Sequence, residues 1–95
     1  MSNVEKFLDK EGRINNWPTR KGYKKEVLNY LAGKFDFHRK YSEKEINEII
    51  IKWHTFEDYF LLRRELVDNK LLLRTRSGSE YWKEEILEKE KQENE

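Results

Sequence analysis

An α+β fold follows from three features of the chain. Two helical patterns succeed one another across a very short break, a third lies upstream, and a turn-centred pair of short strands follows. With 95 residues there is room for one core, and a domain of this size buries only about 60–65% of its unfolded surface. No cysteine is present, so neither disulfides nor thiolate-bound zinc can staple the fold. Packing must supply the stability, and 13 aromatics in a chain that is 41% charged provide the bulk.

From the N-terminus, Val4 to Leu8 predicts a short helical turn with an apolar face, Asp9 to Gly12 a turn, and Gly12-Arg13-Ile14 a short early strand. Trp17-Pro18 interrupts the chain, because proline drives the residue before it out of the α region, and Thr19 is placed to cap the next helix. Tyr23, Val27, Leu28, Tyr30, Leu31 and Phe35 then recur along one helical face. Ser42-Glu43-Lys44-Glu45 is a capping box, in which the serine side chain and the glutamate three residues on each satisfy an orphan amide. Ile46, Ile49, Ile50 and Trp53 continue it at i, i+3, i+4, i+7, which predicts a second helix ending near His54. A third is expected from Thr55, with Asp58 three positions on and Phe56, Tyr59, Phe60, Leu62, Leu66 and Val67 as its apolar face. Helices joined by so short a break must cross, as in a helix-turn-helix.

After Asp68-Asn69-Lys70 the pattern changes. Leu71 to Thr75 and Ser79 to Lys83 flank Arg76-Ser77-Gly78-Ser79, a hairpin turn signal. Three main helices, a C-terminal β-hairpin wing and a short early strand make a winged-helix-like domain over residues 1–83. Residues 84–95 read as an acidic tail. There is no internal repeat.

Tyr41-Ser42-Glu43, Glu45-Ile46-Asn47, Ile50, Asp58, the run Leu62 to Asp68, Leu72, Arg74, Gly78 and Tyr81-Trp82 together resemble a bacterial domain-of-unknown-function family, the one numbered twenty eighty-seven. Phe7-Leu8, Gly12-Arg13-Ile14 and Trp17-Pro18 match its opening, so the resemblance spans about residues 7–83. Members occur alone or appended to helix-turn-helix transcriptional regulators. The resemblance implies a nucleic-acid-binding role with no established activity. Two departures, extra residues at Thr55-Phe56-Glu57 and Asn69-Lys70 in place of an aromatic and a glycine, flank the third helix.

Charge directs attention to one segment. The net charge is +1, yet residues 1–79 hold 17 Lys/Arg against 12 Asp/Glu, whereas residues 80–95 hold 3 against 7. A basic body with an acidic tail suits an anion-binding domain and equally an ordinary domain with a solvated tail. Within Asn15 to Lys25, four cations (Arg20, Lys21, Lys24 and Lys25) crowd a helix start where the macrodipole is already positive. Selection for stability alone would place acids there. Free amides flanked by cations make a phosphate site, to which Trp17 and Tyr23 would add stacking and Asn15 and Asn16 hydrogen bonds. The plainer reading is a solvated basic turn with Trp17 in the core.

The third helix is a poor recognition helix by charge, since Phe56 to Lys70 carries three basic and four acidic residues. Arg63 falls inside the apolar stripe and is expected as a buried or half-buried ion-pair partner rather than a base reader, while Arg64 is the better exposed contact. On the wing, Arg74, Arg76 and Lys83 surround the Ser-Gly-Ser tip, with Arg74 and Arg76 in reach of a phosphate backbone. The expected function is therefore nucleic-acid binding, DNA rather than RNA, in transcription regulation, through Trp17, Arg20, Lys21, Lys24, Lys25, Arg64, Arg74 and Arg76.

The alternative is a protein-interaction or dimerisation module, either a homodimer or a docking site for a regulatory protein. Ile51 and Leu61, apolar residues on otherwise polar helix faces, would serve it. No catalytic, cofactor or metal site is expected: His38 and His54 lack paired-ligand spacing, and no phosphate-loop or nucleophile-elbow motif occurs. His54 reads instead as a cap for the end of its helix. No membrane span or signal segment is evident, which points to the cytoplasm.

Overall fold

The computed structural model describes residues 4–84, so the expected acidic tail lies outside the described residues apart from Glu84. A single 3-10 turn, Val4–Phe7, precedes three helices, α1 (Lys21–Ala32), α2 (Glu43–Lys52) and α3 (Tyr59–Asp68), and then an antiparallel hairpin of β1 (Leu73–Arg74) and β2 (Tyr81–Trp82). This is the winged-helix order of elements. Its core is built from Val27, Leu28 and Leu31 of α1, Ile46 and Ile50 of α2, Leu62 and Leu66 of α3, with Ile14, Leu72 and Tyr81 closing it from the connecting segments.

The capping box of α2 is present in both directions: the Glu45 amide donates to Ser42 Oγ at 3.1 Å and the Ser42 amide to Glu45 Oε1 at 2.8 Å. Helix α1 starts differently from expectation. Its N-cap is Arg20 rather than Thr19, with no side chain accepting from the first amides. Its apolar face ends at Ala32, and Phe35 reaches the core from the following turn, 2% exposed.

The start of α3 is a second correction. The helix begins at Tyr59, not Thr55, because Glu57 sits at φ 55° in the left-handed region and Asp58 caps it by accepting from the Leu61 amide at 3.2 Å. Leu62 and Leu66 of the expected apolar face are each fully buried. Tyr59 and Phe60, expected in the core, are 39% and 53% exposed. Leu61 is half-buried and Ile51 53% exposed.

His54 makes the junction between α2 and α3. Its Nδ1 lies 2.6 Å from the Ile50 carbonyl, and its Nε2 accepts from the Asp58 amide at 2.9 Å. A carbonyl can only accept and an amide can only donate, so the ring is the neutral Nδ1–H tautomer. The expected cap at the end of α2 is thus also the tether of α3.

The expected early strand at Gly12–Ile14 shrinks to the one residue Ile14, bridged to Leu8 and to His54. Its amide donates to Trp53 O at 2.8 Å and its carbonyl accepts from Thr55 at 2.9 Å, stitching the N-terminal segment to the end of α2. Gly12 turns the chain at φ 81°, and a Cβ there would lie 2.9 Å from the Tyr30 hydroxyl, which donates to the Gly12 carbonyl. The hairpin gains one further backbone bridge. Tyr41, between α1 and α2, exchanges both backbone hydrogen bonds with Tyr81 at 2.8 Å, an isolated bridge on the free side of β2.

Candidate nucleic-acid interface

Three surface regions collect seven of the eight residues singled out by sequence, and the eighth, Arg76, is exposed at the hairpin turn. The first is at the start of α1. No acidic residue occupies its first turn, no side chain caps it, and open space lies above Gly22. Lys21, Lys24 and Lys25 line a depression with Leu28 of α1 and Glu65 and Asn69 of α3. Its one acid, Glu65, faces three ammonium groups. Unanswered amides and a positive dipole end coincide with these cations, an arrangement that suits a phosphate and is mildly unfavourable without one.

Trp17 and Arg20 belong to a second, adjacent depression, with Lys6, Phe7, Pro18 and Tyr23 among its lining residues. Trp17 is half-buried and packs against the core. The ammonium of Lys24 stands 5.7 Å from its ring centroid, which links the two depressions. Tyr23, tilted against Phe7 at 5.4 Å and with Lys6 Nζ 4.4 Å from its ring, is likewise engaged.

The third region is a groove of about 380 Å³ between α3 and the hairpin, which brings Arg64 and Arg74 together with Glu43, Phe60, Arg63, Val67, Asp68 and Tyr81. Arg63 is the half-buried ion-pair partner expected of it: its side chain is 15% exposed, bonded to Asn47 Oδ1 at 2.6 Å and 3.5 Å from Glu43 Oε2. Glu43 also accepts from the Tyr81 hydroxyl at 3.0 Å. Burial, and then that bond to Glu43, push the Tyr81 phenol above its ordinary range. Arg64 is exposed. Arg74 makes only long contacts, 3.4 Å and 3.5 Å, to the carbonyls of Thr75 and Arg76 across the turn. Arg76 is exposed at the turn itself, where Gly78 adopts φ 80°.

Lys83, grouped by sequence with the wing cations, is not one of them. It is 9% exposed, its ammonium donates to the Ala32 carbonyl at the end of α1 at 2.7 Å, and it stands 4.2 Å from the Phe37 ring centroid. Burial pulls its pKa below the ordinary lysine value, with Asp36 opposing. The residue that sequence reasoning missed is Phe60, assigned to the core by a helix thought to begin at Thr55. Asp58 was the available signal, since an aspartate preceding an apolar run is itself a cap.

The α1 lysines and the wing arginines do not merge. At 100° per residue, the α3 side chains lining the two regions point roughly 150° apart around the helix axis. Helix α3 therefore stands between two cationic flanks. Among the described residues, no group of three or more His, Asp or Glu side chains is placed to hold a metal ion, and no helix is long and apolar enough to cross a membrane.

Three helices, the second and third capped by Ser42 and Asp58, followed by an antiparallel hairpin, define an α+β, winged-helix-like domain. Within that class, the model of the family DUF2087, described as an uncharacterized protein conserved in bacteria, matches residues 13–83. The chain belongs to that family. No curated protein and no solved structure matches it.

Proposed function

We propose that this chain is a cytoplasmic nucleic-acid-binding module, acting on DNA in preference to RNA in transcription regulation, and that it works by binding rather than by catalysis. The observation that carries the reading is the start of α1: an uncapped helix end, without an acid in its first turn, bearing Lys21, Lys24 and Lys25 beside Arg20. Phosphate oxygens would accept from the unanswered amides while the lysines neutralise charge. Arg74 and Arg76 on the hairpin provide the second flank. Trp17 supports the site through Lys24 and is assigned no stacking on bases.

Fluorescence anisotropy of labelled duplex DNA and single-stranded RNA at two salt concentrations tests this reading. Duplex binding that weakens with salt and disappears when Lys21, Lys24 and Lys25 are changed to Glu is the expected result. Absence of binding to both probes at low salt rejects it. The interaction-module reading has support from Ile51, 53% exposed on α2, and predicts a salt-independent self-association visible by sedimentation.

A further inference from the structure

We infer that the groove between α3 and the hairpin is a nucleotide site, which seats an unpaired aromatic base on Phe60 and its phosphate between Arg64 and Arg74. The strand-borne source of that nucleotide rests on the function proposed above. The chemistry of the groove does not.

Phe60 is 53% exposed, although it lies in the second position of a helix that buries its neighbours Leu62 and Leu66 completely. One side of its ring is backed by the Arg63 guanidinium, whose central carbon is 5.3 Å from the ring centroid. That guanidinium is itself fixed, by Asn47 at 2.6 Å and Glu43 at 3.5 Å. The ring is thus a platform held from behind, with the remainder of its surface open to solvent. Aromatic side chains presented in this way stack bases of any identity, because every base has a π face.

The charges of the groove complete the argument. Its lining carries Arg63, Arg64 and Arg74 against Glu43 and Asp68. Glu43 is engaged at Oε2 by both Arg63 and the Tyr81 hydroxyl. Neither Arg64 nor Arg74 has a carboxylate within ion-pair distance among the described residues. Phe60 and Arg64 are one helical turn apart, so they are neighbours on the same face of α3, and Arg74 faces them from β1. A planar ring with a phosphate attached matches a platform beside two guanidinium groups. A duplex with all its bases stacked offers the phosphate alone.

The test is an NMR titration of the full chain with three probes: adenosine 5′-monophosphate, a short oligodeoxyadenylate, and a blunt DNA duplex. The Phe60 ring protons and the Nε–H signals of Arg64 and Arg74 are followed. With the oligonucleotide, all three sets should move together. Phe60→Ala should weaken its binding about tenfold or more, the scale of one lost base stack, while Phe60→Trp should retain it. Phe60 is exposed, so these variants leave the core intact. If the monophosphate binds as tightly as the oligonucleotide, the site stands and its source is a free nucleotide. Unchanged oligonucleotide affinity in Phe60→Ala, or immobile Phe60 signals with every probe, overturns the inference. Loss of duplex binding on Lys21/Lys24/Lys25→Glu with no effect of Phe60→Ala on the oligonucleotide rejects the groove and leaves the proposed function standing. Monophosphate binding by a protein that binds no DNA does the reverse.

Discussion

At His54, two hydrogen bonds on one ring join the last turn of α2 to the first residue capping α3. The ring is 5% exposed and lies edge-on to Phe56 at 4.8 Å. Replacing it by alanine removes both bonds, each contributing about 1 kcal/mol, and leaves the Asp58 amide without its partner, while the Ile50 carbonyl keeps the Trp53 amide at 3.1 Å. His54→Ala should therefore lower stability by about 2 kcal/mol or more, read from urea unfolding. Tyr81 supplies a pH-dependent counterpart. Its pKa is raised by burial and by Glu43, so its contribution is complete below the ordinary phenol value and declines as pH climbs toward the folded-state value. Stability of the native chain should fall more steeply above about pH 10 than that of Tyr81→Phe. Denaturation midpoints measured across that range decide it, and parallel curves would contradict the assignment.

Among the elements, α1 and α2 begin in opposite ways. Helix α2 has a reciprocal capping box with Glu43 and Glu45 in its first turn, whereas α1 has no side-chain cap and no acid in its first turn. Ser42→Ala should cost about 1 kcal/mol. Arg20→Asp should act in the other direction, adding a cap and removing an unfavourable cation, for a gain of about 1 kcal/mol. The same change should weaken duplex binding. Thermal melts and anisotropy on that one variant separate the two consequences. A variant that gains stability without losing affinity would show that the α1 start is not the binding site. The legibility of these elements in sequence follows their chemistry. The capping box of α2 is local, so four residues announce it. The start of α3 depends on the left-handed Glu57 and on His54 Nε2 reaching the Asp58 amide, and Thr55 supplied a competing cap signal that tertiary contacts overruled.

Across the whole molecule, cations lie on either side of α3 rather than in one patch. If both sides engage one duplex, each contributes separately to counterion release, at about 0.9 in the log–log salt slope for each phosphate neutralised. Lys21/Lys24/Lys25→Gln should reduce the slope by about 2–3, and Arg74/Arg76→Gln by about 2, with the combined variant close to additive. A slope unchanged by the hairpin pair would confine the contact to α1.

The three helices, the capping box, the hairpin and the half-buried fate of Arg63 were legible from periodicity and local spacing, because those signals are carried by residues within a turn or two of each other. Membership of a bacterial family was legible too, from motifs spread over most of the chain. What only the tertiary structure decided are the relationships between distant segments. Tyr41 came to bridge the free side of β2, and Lys83 left the wing to cap α1 from 51 positions away. Phe60 came to face solvent beside Arg74, and α3 came to separate two cationic surfaces. No local pattern encodes these outcomes. They follow from how a small core is closed, where burying Leu62 and Leu66 sets the rotation of α3 and with it every side chain that helix presents to water.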